Sequence, residues 1–193
     1  MSRFSSLAVF VMVLAGAAQA LRGGLVSYDA TLSGPGESPP NASPGTGFAA
    51  VDYNNTAHTL HVHVTFSGLV GTTTASHIHS PTAMPGTGTA GVATTVPYFA
   101  GFPIGVTSGT YDNTLDLTSA SSWNPSYVTA NGGTTTGAET ALASSLAAGD
   151  AYLNIHTTVD PGGEIRGFLE PVPEPSTLAL LGCAALLIAR RRR

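Results

Sequence analysis

The chain has 193 residues, of which only 9% are charged, and a formal net charge of −4 at pH 7. Residues 21–172 are more acidic than this value suggests, because they hold two arginines, no lysine and ten acidic residues, a net charge of −8. Basic side chains bind nucleic acid by displacing the counterions of its phosphates, and a segment this acidic gains no affinity in that way. Nucleic acid is therefore excluded from the expected partners. The single cysteine, Cys183, excludes an internal disulfide, so stability must come from a packed core or a bound metal.

The N-terminal segment is typical of a secretory signal peptide. It has one basic residue, Arg3, followed by an apolar stretch over residues 7–18 and by the tripeptide Ala18-Gln19-Ala20. Small residues at the first and third positions of such a tripeptide mark a cleavage site. We therefore expect residues 1–20 to direct the chain to the export machinery and to be removed after Ala20.

Residues 21–170 are predicted to form one domain of short strands and turns. The clearest strand covers residues 58–66, where four apolar residues alternate with polar ones, so that one face points to the core. Further strands are predicted over residues 25–32 and 46–53. These three strands should form an antiparallel meander.

A hairpin is predicted near the end of the same domain. Its strands would cover residues 151–158 and 164–169, and the sequence between them contains Asp160-Pro161-Gly162-Gly163. Proline sets φ near the value that a turn needs and glycine tolerates positive φ, so this sequence favours a tight turn.

One helix is predicted, over residues 137–148, where alanine, leucine and glutamate dominate and Gly149 follows as a stop. Residues 119–136 have weak periodicity and are predicted to form a long loop, with Trp123 packed on the domain. The fold class that follows is all-β, an antiparallel β-sandwich of the immunoglobulin-like or superoxide-dismutase-like kind with one short helical excursion.

Three histidines are the candidate metal ligands. His77 and His79 are two residues apart and share one face of a strand, about 6.5–7 Å apart, and His156 shares a strand face with Tyr152 and Asn154. Neutral imidazoles suit copper or zinc. The alternative is a hydrogen-bonded polar network that joins two strands without a metal.

Other polar residues have structural explanations. Glu164 and Arg166 share a strand face and could pair with each other, or Arg166 could reach Glu37, which predicts a salt bridge at the edge of the sheet or a ligand-recognition pair. His61 and His63 are expected on a solvent-exposed face. His58, beside a turn, is expected to be incidental.

The C-terminal 21 residues have three parts in order: Pro173-Glu174-Pro175, an apolar run over residues 178–189, and four arginines. The run spans about 18 Å as a helix, too short to be a permanent membrane anchor.

This tail resembles the PEP-CTERM sorting signal of Gram-negative bacteria. The resemblance assigns residues 171–193 to a sorting tail with a short membrane helix. It implies transient anchoring in the inner membrane, processing by an exosortase-type enzyme and delivery to the cell surface or outside. The residues of this signal are Pro173, Glu174, Pro175, Arg190, Arg191, Arg192 and Arg193.

Four ordered motifs between residues 25 and 170 resemble the CHRD domain, named for chordin. They are residues 32–40, the segment His77-Ile78-His79-Ser80-Pro81, the strand 152–157 and residues 161–167. The resemblance implies an extracellular setting and names no activity. The positions that it marks as structural are Glu37, Asn154, Gly162, Gly163, Glu164 and Arg166.

Two functions are consistent with these features. The first is an exported, non-enzymatic binding or structural module of the cell surface or extracellular matrix, with extracellular polysaccharide or matrix proteins as partners. The alternative is a secreted copper- or zinc-binding protein with His77, His79 and His156 as ligands. A redox enzyme is the less favoured form of this alternative, since a His-x-His strand with a later Asn-x-His strand is similar to the copper ligands of copper/zinc superoxide dismutases.

Overall fold

Eight antiparallel strands form one curled sheet in the computed structural model, which describes residues 24–173. The sheet order is β4-β6-β7-β1-β2-β3-β5, with β8 paired to β1. The strands are β1 (Leu25–Ser33), β2 (Thr46–Asn54), β3 (Thr59–Ser67), β4 (Thr73–His79), β5 (Gly109–Asp116), β6 (Tyr152–Thr157), β7 (Ile165–Phe168) and β8 (Glu170–Pro171). The predicted all-β antiparallel class is confirmed.

The meander β1-β2-β3 is confirmed over its whole length. Leu25 pairs with Asn54 and Thr46 pairs with Ser67, so the three strands keep a continuous register. In β3 the side chains alternate between buried apolar and more exposed polar residues, as the sequence predicts. The buried members are Leu60, Val62, Val64 and Phe66.

The predicted hairpin is also present, as β6 and β7. Its turn is closed by a hydrogen bond from Gly163 N to the carbonyl of Asp160 (3.0 Å), and Ile155 pairs with Ile165 at the base. Strand β4 pairs with the outer edge of β6 and therefore lies at one end of the sheet. This pairing brings the His-x-His sequence beside the strand that carries His156.

A short 3-10 helix (Ala120–Ser122) and two α-helices follow β5. The second, α2 (Thr135–Ala148), begins two residues before the predicted helix and ends at Gly149, whose φ of 73° is left-handed. The first, α1 (Pro125–Ala130), corrects the prediction of a loop over residues 119–136. Asn124 accepts a hydrogen bond from Ser126 N (3.0 Å) and Pro125 stands at the first helical position, so a cap and a preset φ start a helix that periodicity does not reveal.

The hydrophobic core covers one face of the sheet. Leu142 and Leu146 of α2 and the predicted packed residue Trp123, 2% exposed, belong to one buried cluster with the inward residues of the strands. Ile78, Leu153, Ile155 and Ile165 are among those inward residues. Their neighbours along β4, β6 and β7 therefore lie on the opposite face, where the candidate site is found.

Between residues 24 and 173, no helix combines the length and the apolar character needed to cross a membrane. The predicted signal peptide over residues 1–20 and the predicted apolar helix over residues 178–189 lie outside the described residues.

Candidate metal centre

Strands β4 and β6 bring the three predicted histidines together. In their register His77 lies opposite Asn154 and His156 lies opposite Ala75, so His156 is diagonal to His77 on the same face. His77 and His79 are buried and His156 is half-buried. Side chains that are remote in sequence thus meet because β4 is added to the far edge of the β6-β7 hairpin.

The three imidazole rings form a close triangle. Ring centroids are separated by 4.8 Å for His77 and His79, 4.7 Å for His77 and His156, and 5.8 Å for His79 and His156. One ring nitrogen from each side chain lies within 4.8 Å of the other two. Since imidazole nitrogens bind zinc at about 2.0–2.1 Å, small side-chain movements would bring all three onto one ion.

Backbone carbonyls determine which nitrogens are available. The Nδ1 atom of His79 lies 2.8 Å from the carbonyl oxygen of Ala90, and the Nδ1 atom of His156 lies 2.9 Å from that of Pro161. A carbonyl can only accept, so each Nδ1 carries the proton and donates it. In both neutral rings the lone pair is then on Nε2, which is free to bind a metal.

Each ring of the cluster has one buried nitrogen with no hydrogen-bond partner among the described residues. These nitrogens are Nδ1 of His77, Nε2 of His79 and Nε2 of His156. A network of hydrogen bonds between these side chains, the alternative considered from sequence, is therefore not present in the described part of the chain. Unpartnered buried acceptors are costly, and a metal ion would satisfy all three.

The site holds its histidines in the neutral state. Burial, together with the positive charges that His79 and His156 could carry, lowers the pKa of His77 to about 3. Burial lowers the pKa of His79 to about 4, although the hydrogen bond to Ala90 opposes this shift. Burial also lowers the pKa of His156, against the opposing hydrogen bond to Pro161. The three rings are therefore neutral at neutral pH, the form that binds metals.

Three neutral nitrogen donors fit copper or zinc better than magnesium or calcium, which prefer oxygen ligands. The carbonyls that hold His79 and His156 act as the outer hydrogen-bond partners that metal-binding histidines usually have. Three protein ligands leave a further coordination position for water or a small ligand. The arrangement can therefore bind a transition-metal ion and keep one position open.

Arg166 lies on the same face of the sheet and is 4% exposed. Of the two pairings considered from sequence, the one with Glu37 is present, with Arg166 Nε 3.7 Å from Glu37 Oε2. Glu164 does not pair with Arg166, because its carboxylate is fully engaged elsewhere. It accepts hydrogen bonds from Ser43 Oγ (2.6 Å), Val70 N (2.6 Å), Gly71 N (3.0 Å) and Thr157 Oγ1 (2.7 Å).

Glu37 and Asn154 form a second polar contact next to the histidines. Burial raises the pKa of Glu37 to about 7, while the charge of Arg166 opposes this rise. Glu37 Oε1 and Asn154 Oδ1 are buried without a hydrogen-bond partner among residues 24–173. Both atoms lie against Gly163, where an added Cβ would come within 2.7 Å of each. Gly162, by contrast, faces open space.

The other histidines lie away from this site. His61 and His63 are on the exposed face, as expected, and both contact Asp112, at 3.0 Å from His61 Nε2 and 2.8 Å from His63 Nδ1. The expectation that His58 is incidental is wrong. Its Nδ1 lies 2.9 Å from Glu139 Oε2, so it joins the turn before β3 to helix α2.

Three contributions escaped the sequence analysis. The carbonyl of Pro161 follows His156 closely in the chain, so its role could be inferred from the turn. The carbonyl of Ala90 lies in a long loop after β4, whose path no local pattern predicts. The stacking of Tyr152 on His79 (centroids 4.7 Å apart, planes 4° apart) follows from the pairing of β4 with β6, where the two residues lie opposite each other.

Comparison with known proteins agrees with this architecture. The CHRD domain profile matches residues 28–169, and the PEP-CTERM protein-sorting motif matches residues 171–193. No curated protein and no solved structure matches the chain. The sorting motif marks an exported protein that is sorted at its C-terminus by an exosortase-dependent route. Because the first match covers well over half of the sequence, the chain belongs to the CHRD domain family and ends in a PEP-CTERM sorting motif.

Proposed function

We propose that this protein is an exported metal-binding protein, which holds one copper or zinc ion with His77, His79 and His156. The observation that carries the proposal is the convergence of three neutral imidazole rings, each with a buried nitrogen that has no hydrogen-bond partner among the described residues. The ion would join β4 to β6. We propose a binding or structural role and no enzymatic turnover.

Elemental analysis of the untagged protein, purified after export, tests this proposal. We expect about one copper or zinc ion per chain in the wild type, since one set of three ligands can hold one ion. The variant His77→Ala should lose the metal. The matched control is His61→Ala/His63→Ala, which removes two exposed histidines and should keep it.

Two results would overturn the metal proposal. One is a wild-type protein without metal even after incubation with Cu²⁺ and Zn²⁺. The other is equal metal loss in the His77→Ala variant and in the control variant, because binding would then come from surface histidines.

We also propose that the protein acts at the cell surface or in the extracellular matrix, with polysaccharide or matrix proteins as partners. The sorting motif and the acidic, lysine-free surface support this location. Replacing the four arginines at positions 190–193 by alanine should block sorting, because they favour retention of the tail on the cytoplasmic side. Fractionation that finds the same surface pool with and without the arginines would contradict this part.

A further inference from the structure

Arg166 is the single arginine or lysine between residues 24 and 173, and it is almost completely buried. A buried cation needs several compensating contacts, since removing its charge from water is costly. Its ion pair with Glu37 is long, at 3.7 Å, so most of the compensation comes from other groups. Arg166 Nε donates to the carbonyl of Gly36 (2.6 Å) and Nη1 donates to the carbonyl of Gly88 (2.9 Å).

The second of these carbonyls belongs to the loop that orients a proposed ligand. Gly88 is two residues before Ala90, whose carbonyl accepts the Nδ1 proton of His79. The backbone N–H of Ala90 donates to the hydroxyl of Tyr152 (3.2 Å). The contact between Arg166 and Gly88 therefore fixes the loop at the point where it sets the tautomer and direction of the His79 ring.

Stacking provides a second connection between the same residues. The guanidinium carbon of Arg166 lies 4.6 Å from the centroid of the Tyr152 ring, within the range of a cation–π contact. Tyr152 in turn stacks on His79, with centroids 4.7 Å apart and planes 4° apart. Arg166, Tyr152 and His79 thus form a series of planar groups, and lysine could not reproduce the planar guanidinium contact.

We propose that Arg166 is a positioning residue for the three-histidine metal site, acting through Tyr152 and through the loop at Gly88 and Ala90. The proposal rests on the proposed metal-binding function. Arg166 does not bind the ion itself. It keeps the Nε2 atom of His79 directed at the nitrogens of His77 and His156.

Metal titration of exported, untagged protein tests the inference in two stages. The first stage measures Cu²⁺ and Zn²⁺ affinity of the wild type by competition with a chelator. If the wild type binds neither ion, the metal-binding function itself fails. If it binds, Arg166→Gln and Arg166→Lys should lower the affinity by about 10- to 100-fold, as loss of outer-shell partners does.

Spectroscopy separates positioning from simple stabilisation. The electron paramagnetic resonance spectrum of bound Cu²⁺ should change in Arg166→Gln, because the His79 nitrogen moves relative to the ion. Tyr53→Phe is the control, since it removes a hydrogen bond to Glu139 elsewhere in the domain and should leave the affinity and the spectrum unchanged. Wild-type affinity and an unchanged spectrum in a folded Arg166→Gln protein would overturn the inference.

A second variant keeps the test valid if Arg166→Gln does not fold. Tyr152→Leu breaks the stacked series and removes the hydroxyl that accepts from Ala90 N, and it leaves both carbonyl contacts of Arg166 in place. We expect a lower Cu²⁺ affinity and an altered spectrum in this variant also. Unchanged values would show that the series does not position His79.

Discussion

His77 on β4 and His156 on β6 face each other with their ring centroids 4.7 Å apart. The two strands are joined by backbone hydrogen bonds along one edge of the sheet, and β4 pairs with no other named strand among those described. An ion held by both residues would therefore add a cross-link to an edge strand, which has only one strand neighbour in the described sheet.

Metal removal should lower the thermal stability of the protein. A ligand at about 1,000 times its Kd stabilises the native state by about 4 kcal/mol, which corresponds to roughly 10 °C in Tm for a domain of this size. Calorimetry with and without a chelator measures the change. In His77→Ala the chelator should have no effect, and an equal decrease in both proteins would assign the stabilisation to a different site.

Gly163→Ala should destabilise the domain strongly. Gly163 has φ of 134°, and a Cβ there would lie 2.5 Å from Asn154 Nδ2 and 2.7 Å from Glu37 Oε1. Backbone strain alone costs about 1–3 kcal/mol, and the contacts add to it. Urea unfolding should show a loss of at least about 2 kcal/mol.

The adjacent glycine supplies the control for this prediction. Gly162 faces open space, and its φ is outside the left-handed region. Gly162→Ala should therefore change the free energy of unfolding by no more than about 0.5 kcal/mol. Similar losses for the two variants would mean that the turn tolerates no side chain at either position, and that the packing against Asn154 is not the cause.

Local patterns predicted the fold better than they predicted the site. Strand β3 and the β6-β7 hairpin were found because alternation and turn sequences act over a few residues. The pairing of β4 with β6 joins segments that are far apart in the chain. Neither segment contains a sequence pattern that identifies the strand with which it pairs. The sequence could therefore propose His77, His79 and His156 as ligands without showing that they meet.

The same limit applies to single contacts. The sequence of helix α1 contains a helix-start signal, Asn124-Pro125, so this helix could have been predicted from its cap. No local sequence signal indicates the hydrogen bonds of Glu164, because its four donors come from three separate parts of the chain. A carboxylate that is fully buried and fully bonded cannot be distinguished by sequence from an exposed one.

Tyr53→Phe should weaken the attachment of helix α2 to the sheet. The hydroxyl of Tyr53 donates to Glu139 Oε1 (3.0 Å), and Glu139 is buried. Loss of this bond should cost about 1 kcal/mol and speed amide hydrogen exchange in α2. Tyr98→Phe is the control, since its hydroxyl makes no hydrogen bond within residues 24–173, and it should be neutral. A Tyr53→Phe protein as stable as the Tyr98→Phe control would show that the bond contributes nothing.

Glu164 should make the stability of the domain depend on pH in the acidic range. Burial alone would raise the pKa of this carboxyl, but the hydrogen bonds from Ser43, Thr157 and two backbone amides outweigh burial and lower it below its usual 4.5. The unfolded chain then takes up a proton at higher pH than the folded chain does. The contribution of Glu164 is complete above pH 4.5 and is lost as the pH falls through the lowered value.

Comparison of wild type and Glu164→Gln isolates this contribution. At pH 7 the variant should lose about 3 kcal/mol, because its amide NH₂ would place a donor against the backbone N–H of either Val70 or Gly71. The difference between the two proteins should shrink as the pH is lowered from 5 to 3. Glu170→Gln is the control, because it changes an exposed carboxyl. Its free energy of unfolding in urea should equal that of the wild type at every pH. A Glu164→Gln protein that stays less stable than wild type by a constant amount would mean that lost packing, and not the carboxylate charge, causes the effect.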